Sequence, residues 1–347
     1  MDKLRAVVHG TVLLLIIGWV LTAGKAIFVP AVLGAVVVYV IVGLAQVLGK
    51  VPAVGPQLPL QLRYLFSMAV IGLAFFLLAY LIMANKERAM ALAPQYQQSL
   101  LASIQQIAVR FGFETEPTWN TLRQELLAQI NLQRLFTGLL ASVGSILVTF
   151  VVVMLYAVFL LVERRSFDAK LARMADDPKQ VARIRDVIGT INRRIGSYLA
   201  LKTLLSVLLG VVSWVVMALY GLEFAALWAV LTGFLNFVPY VGSVLGVLLP
   251  GLMAMVQYPE LGTILSLVLA LTVVQFVIGN FLDPYVMGNS LNLSPFAILI
   301  SLAVWSELWG IPGAFLAVPI AAIITIVFSE FPGTRQVAVL LSKNGNI

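Results

Sequence analysis

From Thr203 to Thr334 the chain carries no lysine or arginine, yet it places single carboxylates at Glu223, Glu260, Asp283, Glu307 and Glu330. They stand among apolar runs that proline and glycine repeatedly interrupt. Hydrocarbon accepts ionisable groups and irregular backbone only where protein or a water-filled cavity surrounds them. A segment that combines both fits the lining of a pathway better than a passive anchor.

The rest of the composition agrees. Of 347 residues, 61% are hydrophobic and 11% charged, against roughly 25% charged in a soluble domain. Uncharged runs cover Ala6–Gly24 (His9 apart), Ala26–Gly49, Tyr64–Asn85, Leu135–Val162, Thr203–Leu222, Phe224–Pro259, Leu261–Leu282, Pro284–Ser306 and Leu308–Ser329. About 20 apolar residues cross a hydrocarbon core near 30 Å thick. Phe224–Pro259 is too long for one crossing and short for two. The first run exceeds the apolar core of a signal peptide and leads straight into another, so it reads as a retained helix. The net charge of +7 sits in the loops, where the preference of basic residues for the cytoplasmic side explains it without a nucleic-acid partner. The chain has no cysteine and one histidine, His9. Disulfides, thiol chemistry and two-histidine metal centres are therefore excluded, and no cofactor or metal is expected.

Loop charge predicts the orientation. Glu163–Lys202 holds ten of the 22 basic residues against five acids and is expected in the cytoplasm, with the amino terminus and the Gly49–Arg63 connection on the same side. Segment 86–134 is then external. Thr121 and Gln124 suit a capping box, and Leu100, Ile104, Ile107 and Phe111 form a helical stripe. Asp177-Pro178 opens a helix with an apolar face of Val181, Ile184, Ile188, Ile191 and Ile195. Its arginines Arg183, Arg185, Arg193 and Arg194 lie elsewhere, as in a helix resting on an anionic leaflet. The expected division is four N-terminal spans in 1–162, an amphipathic linker in 163–202, a core with interrupted hairpins in 203–334, and a tail in 335–347.

Within that core the run 224–258 breaks at Asn236–Gly242, and the run 295–328 breaks at Trp309–Gly313. Proline removes a helical hydrogen bond and clashes with the preceding turn, so each run predicts two short helices joined by a turn. Span plus broken hairpin occurs twice. The fold expected is an all-α polytopic membrane protein whose second half is an inverted repeat of span and re-entrant hairpin. Paired interrupted segments point to a transporter's binding site. Asn236, Asn280, Asp283 and Glu307 lie near the breaks. Glu307 is the expected proton-coupling carboxylate, with a structural role in the hairpin turn as its alternative. Asp283, before Pro284, reads equally as a helix cap or a functional acid. Tyr240 and Trp309 suit ring packing or the membrane interface. No basic residue between Thr203 and Thr334 neutralises these acids, which favours cations slightly.

Three motifs sharpen the reading: Leu235-Asn236-Phe237-Val238-Pro239-Tyr240-Val241-Gly242-Ser243, Gly279-Asn280-Phe281-Leu282-Asp283-Pro284-Tyr285-Val286-Met287-Gly288, and Gly310-Ile311-Pro312-Gly313-Ala314-Phe315-Leu316-Ala317-Val318-Pro319. In this order and spacing they resemble the signature of the autoinducer-2 exporter family of bacterial membrane proteins, over essentially the whole chain. The closing Val339-Leu340-Leu341-Ser342 is similar to the exporter subgroup. The chain departs from many members in having Gly279 before the second motif's asparagine and Tyr285 after its proline. The resemblance implies a non-enzymatic, ATP-independent exporter of a small polar quorum-sensing signal in the bacterial cytoplasmic (inner) membrane. It implies a homo-oligomer, a pentamer by the family's pattern, with lipid, the solute and protons or sodium as partners. Asn236, Pro239, Tyr240, Gly242, Asn280 and Pro312 would contact substrate, and Asp283 and Glu307 would carry protons. Because the family includes proteins similar to sodium (or lithium)/proton antiporters, that activity is the alternative.

Overall fold

A computed structural model describes residues 2–51, 57–92, 95, 98, 132–174, 177–287 and 291–345. The described chain is helical, with one isolated antiparallel bridge between Leu293 and Ser342. In order the helices are α1 (Asp2–Ala23), α2 (Lys25–Gly49), α3 (Leu60–Ala84), α4 (Leu132–Met174), α5 (Pro178–Tyr220), α6 (Ala225–Leu235), α7 (Val241–Gln257) and α8 (Leu261–Val277). A π-turn (Ile278–Leu282), α9 (Asp283–Met287), α10 (Pro295–Trp309), α11 (Ile311–Ser329) and α12 (Arg335–Leu341) follow. Six stretches among the described residues are long and apolar enough to cross a membrane: α2, α3, Gly144–Arg164 of α4, α5, Leu261–Met287 and α11. This is the architecture of an all-α polytopic membrane protein. The apolar part of α1 is shorter than these. The capping box at Thr121 and the stripe from Leu100 to Phe111 lie outside the described residues.

The basic stripe from Val181 to Ile195 forms the first half of α5, which runs unbroken for 43 residues. No proline interrupts it after Pro178, and at 1.5 Å per residue it is about 65 Å long, twice a hydrocarbon core.

The helices sort into two compact units. The first is drawn from residues 1–68, 149–201 and 289–347. In it, Gly24 alone separates α1 from α2, with Gly24 N–H bonded to Val20 O and Phe28 N–H to Gly24 O. The bend leaves the Leu21 carbonyl to accept the Trp309 indole N–H at 3.0 Å. Val29, Trp309 and Leu316 form the buried cluster beside it, with Trp305 packed on Trp309 at 4.8 Å between ring centroids. Helix α10 starts with Ser294 as cap, its hydroxyl oxygen accepting from Ala297 N–H, and with Pro295 in the first turn. Tyr39 of α2 donates to Asn192 Oδ1 at 2.8 Å, and Arg183 pairs with Glu330 at 3.5 Å.

The second unit is drawn from residues 69–148 and 202–288. Its core is Met217, Leu222, Ala229, Met253, Ala254, Ile264, Leu267 and Leu271. Helices α5 and α6 approach at backbone contact: a Cβ on Gly233 would stand 3.0 Å from Ser206 O, and one on Gly210 3.1 Å from Ala229 O. The α5–α6 turn takes positive φ at Gly221 and Phe224. Gln257 holds that turn by accepting from Glu223 N–H and donating to Gly221 O, Tyr258 donates to Tyr220 O at 2.7 Å, and Arg88 pairs with Glu223.

Candidate functional site

Both predicted interruptions are present, and each hairpin closes on a glycine. At the first, α6 ends at Leu235 and α7 begins at Val241. A Cβ on Gly242 would lie 1.9 Å from the Leu235 carbonyl oxygen, so no other residue fits. At the second, a Cβ on Gly313 would lie 1.8 Å from Trp305 O. The tips differ in backbone. Gly310 takes φ 65° and ψ −140°, which side chains disfavour, whereas Tyr240 takes φ 61° and ψ −55°. With Val241 N–H on Pro239 O at 2.6 Å, Tyr240 centres a γ-turn of the rare positive-φ kind. Such a conformation costs about 1–3 kcal/mol and persists only where its surroundings hold it.

Next to the first break lies a buried polar cluster, entirely within the second unit. Lys202 Nζ, on α5, donates to Asp283 Oδ2 at 2.9 Å and to Asn236 Oδ1 at 3.3 Å. Asn236 Nδ2 donates in turn to Ser206 Oγ at 3.0 Å, one helical turn beyond Lys202. The side chains of Lys202 and Asp283 are 8% and 19% exposed, so water screens the pair little. This corrects the expectation that no cation neutralises the acids. Lys202 sits at the edge of the uncharged run and counts in the sequence as one of ten loop charges. Its turn of α5 is only seen to face Asp283 in the fold.

Asp283 also corrects its own reading as a cap. The chain stays helical from Leu261 to Met287, and Pro284 lies inside α9. Its ring would strike the carbonyl four residues back in a regular helix. The preceding π-turn, Ile278–Leu282, widens the helix at that place, and such turns are frequent at functional sites. Asp283 Oδ1 is buried with no hydrogen-bond partner among the described residues, as are Gln275 Nε2 and Trp228 Nε1. Gln275 lies in the notch left by Gly246, where a Cβ would be 2.6 Å from its Nε2. Thr232 Oγ1 donates to Gly246 O at 3.4 Å, a carbonyl that Pro250 cannot satisfy from within α7.

Of the predicted site residues, Asn236 and Asp283 are therefore brought together, through Lys202. Gly242 and Pro239 shape the adjoining tip, and Tyr240 is exposed on it. Asn280 is not part of the cluster: it is exposed, and its Nδ2 donates to Phe276 O of its own helix at 3.2 Å. Pro312 and Glu307 belong to the other unit. Pro312 stands in the first turn of α11. Glu307, the expected proton-coupling carboxylate, is exposed on α10, with no side-chain partner among the described residues. Lys202 and Ser206, four apart on one helical face of α5, are the half of the cluster that sequence reasoning missed.

Residues 10–333 match the model of the AI-2E family transporter. The chain belongs to this family. It is 29% identical to the AI-2 transport protein TqsA of Escherichia coli K12 over 325 residues, 91% of this chain and 89% of that one. It is 31% identical over 249 residues to a Borreliella burgdorferi protein with a provisional transport-protein name, covering 72% of this chain and 67% of that one. YhhT of Escherichia coli K12, also provisionally a transport protein, is 35% identical over 208 residues, 60% of this chain and 57% of YhhT. The family member described here is a multi-pass membrane transporter rather than an enzyme.

Proposed function

We propose that this transporter exports a small polar signal of the autoinducer-2 type by secondary, proton-coupled transport. The observation that carries the reading is the buried cluster of Lys202, Asp283, Asn236 and Ser206 beside an interrupted helix. Apolar surroundings strengthen every polar contact there and penalise any left unmade, so a site of this kind selects a hydroxyl-bearing solute. The relative TqsA is named for the same cargo. In this assignment Asn236 contacts solute, Pro239, Tyr240 and Gly242 form the mobile tip, and Asn280 and Pro312 shape the path. Asp283 carries the coupling proton, and Glu307 is a second proton-carrying acid. Residues 203–334 are the transport core with re-entrant hairpins in inverted repeat. Residues 1–162 with the external 86–134 segment, the 163–202 linker and the 335–347 tail complete the division. The amino terminus faces the cytoplasm of an inner-membrane homo-oligomer, and the activity serves quorum sensing.

Sodium (lithium)/proton antiport is the second reading. Its sequence argument was the lack of a neutralising cation, which Lys202 removes for Asp283 and which Glu307 retains. Purified protein in liposomes decides between them. Labelled autoinducer-2 flux that follows an imposed pH gradient, and is lost in Asp283→Asn and Asn236→Ala, is the expected result. Sodium-driven proton movement without signal flux would replace the exporter with the antiporter. Normal, pH-dependent transport by Glu307→Gln would remove that acid from the mechanism.

A further inference from the structure

We infer that solute and proton compete for one atom of this transporter, the Oδ1 of Asp283, and that Lys202 makes the competition possible. The inference rests on the exporter reading and specifies its site. Lys202 has three N–H donors. Two are used, on Asp283 Oδ2 and Asn236 Oδ1, which leaves one. Asp283 Oδ1 is buried and accepts no hydrogen bond among the described residues. The cluster therefore presents one vacant acceptor and one vacant donor on an ion pair whose members are already 2.9 Å apart. The group that completes both is a hydroxyl beside another oxygen: its O–H donates to Asp283 Oδ1 while the neighbouring oxygen accepts from Lys202. The ligand class is a small neutral vicinal diol or hydroxy-carbonyl compound. A carboxylate or phosphate would meet Asp283, and an amine would meet Lys202, with like charge.

A proton arriving at Oδ1 changes this. An O–H bond forms on the carboxyl, and the acceptor becomes a donor. The hydrogen bond from the solute hydroxyl breaks, and the solute leaves. No covalent bond in the solute changes, and the site gains one positive charge. Lys202 is the only charged side chain paired with Asp283 among the described residues. The other polar side chains of the cluster, Ser206 on α5 and Asn236 at the end of α6, are neutral. On its own helix the neutral Asn280 turns back to Phe276 O. Helix α7 carries no titratable side chain. The π-turn Ile278–Leu282 immediately precedes Asp283 and widens the helix there.

The test is binding of labelled autoinducer-2 to the purified full-length protein in detergent from pH 5 to pH 9, with proton release recorded in weak buffer. Affinity should fall tenfold per pH unit on the acid side of a single midpoint, as for two ligands that exclude each other. Saturating solute should release about half a proton per site at the midpoint and approach one per site on its acid side. Asp283→Asn should bind weakly with a flat profile and no release. Infrared difference spectra of the unmutated protein guard against misfolded variants: a carboxylic-acid C=O band should appear on acidification and vanish on adding solute. Tight binding with a flat profile and no proton release overturns the competition and leaves the exporter standing. No binding at any pH overturns the exporter reading and the competition with it. A pH-dependent profile that survives in folded Asp283→Asn moves the competing proton elsewhere and overturns this assignment.

Discussion

Removing the Lys202 ammonium alone should destabilise the protein far more than removing the whole ion pair. At 2.9 Å and an effective dielectric constant of about 20, the attraction is roughly 6 kcal/mol before desolvation is subtracted. Desolvation of two ions buried to 8% and 19% exposure offsets most of this, so the pair's net contribution is small. A single substitution removes the attraction and leaves the other ion's desolvation uncompensated. For buried pairs that costs about 3–5 kcal/mol, and the partial exposure of Asp283 places this case near 3. In Lys202→Met the carboxylate loses the Lys202 donor, and Asn236 Oδ1 loses one as well. In Asp283→Leu the ammonium keeps Asn236 Oδ1 alone among the described residues. In Lys202→Met/Asp283→Leu no buried charge remains, and the loss should shrink to about 1 kcal/mol, assigned to the orphaned Asn236 carbonyl. The assay is a double-mutant cycle on reversible denaturant unfolding in mixed micelles. A coupling energy of several kcal/mol is expected. A cycle that closes to within about 0.5 kcal/mol, the additivity of independent sites, would refute a buried, mutually dependent pair.

Other consequences follow from the same geometry. Gly242→Ala and Gly313→Ala each put a methyl group within 2 Å of a carbonyl oxygen and should abolish folded, monodisperse protein. Gly279→Ala, which meets nothing within 4 Å, should be neutral or slightly stabilising. Tyr240→Gly relieves the positive φ and should raise stability by about 1 kcal/mol; transport that falls at the same time would show that the strain is used. Burial, reinforced by the Glu223 carboxylate, raises the Tyr258 phenol above its ordinary 10.0. Its contribution is therefore complete below pH 10 and lost as pH climbs through the folded value. Melting temperature should drop on that alkaline limb, and Tyr258→Phe, lacking the bond to Tyr220 O, should be less stable at neutral pH with a shallower limb.

The helices were legible because apolar run length and proline placement are local properties. Pro239 and Pro312 marked both hairpins, and the motif around Asn236 marked half of the polar cluster. The other half was hidden for a physical reason. Lys202 lies at the boundary between a basic segment and an apolar one, and nothing local separates a solvated lysine from a buried one. Asp283-Pro284 looked like a stop because proline ends most helices, and the π-turn that accommodates it depends on the neighbouring packing. Glu307 lies in an apolar run, but a helix has an outer face, and which face a residue takes is set by packing; the fold turns Glu307 outward.

By itself the sequence determined that the chain is a helical membrane protein, where its helices break, and which family it belongs to, since these depend on residues close along the chain. Only the tertiary structure decided that Lys202 meets Asp283 and that Asn280 turns away from them. Those outcomes depend on which face of each helix packs inward, and partners as far apart as Lys202 and Asp283 are joined by packing that no local pattern encodes.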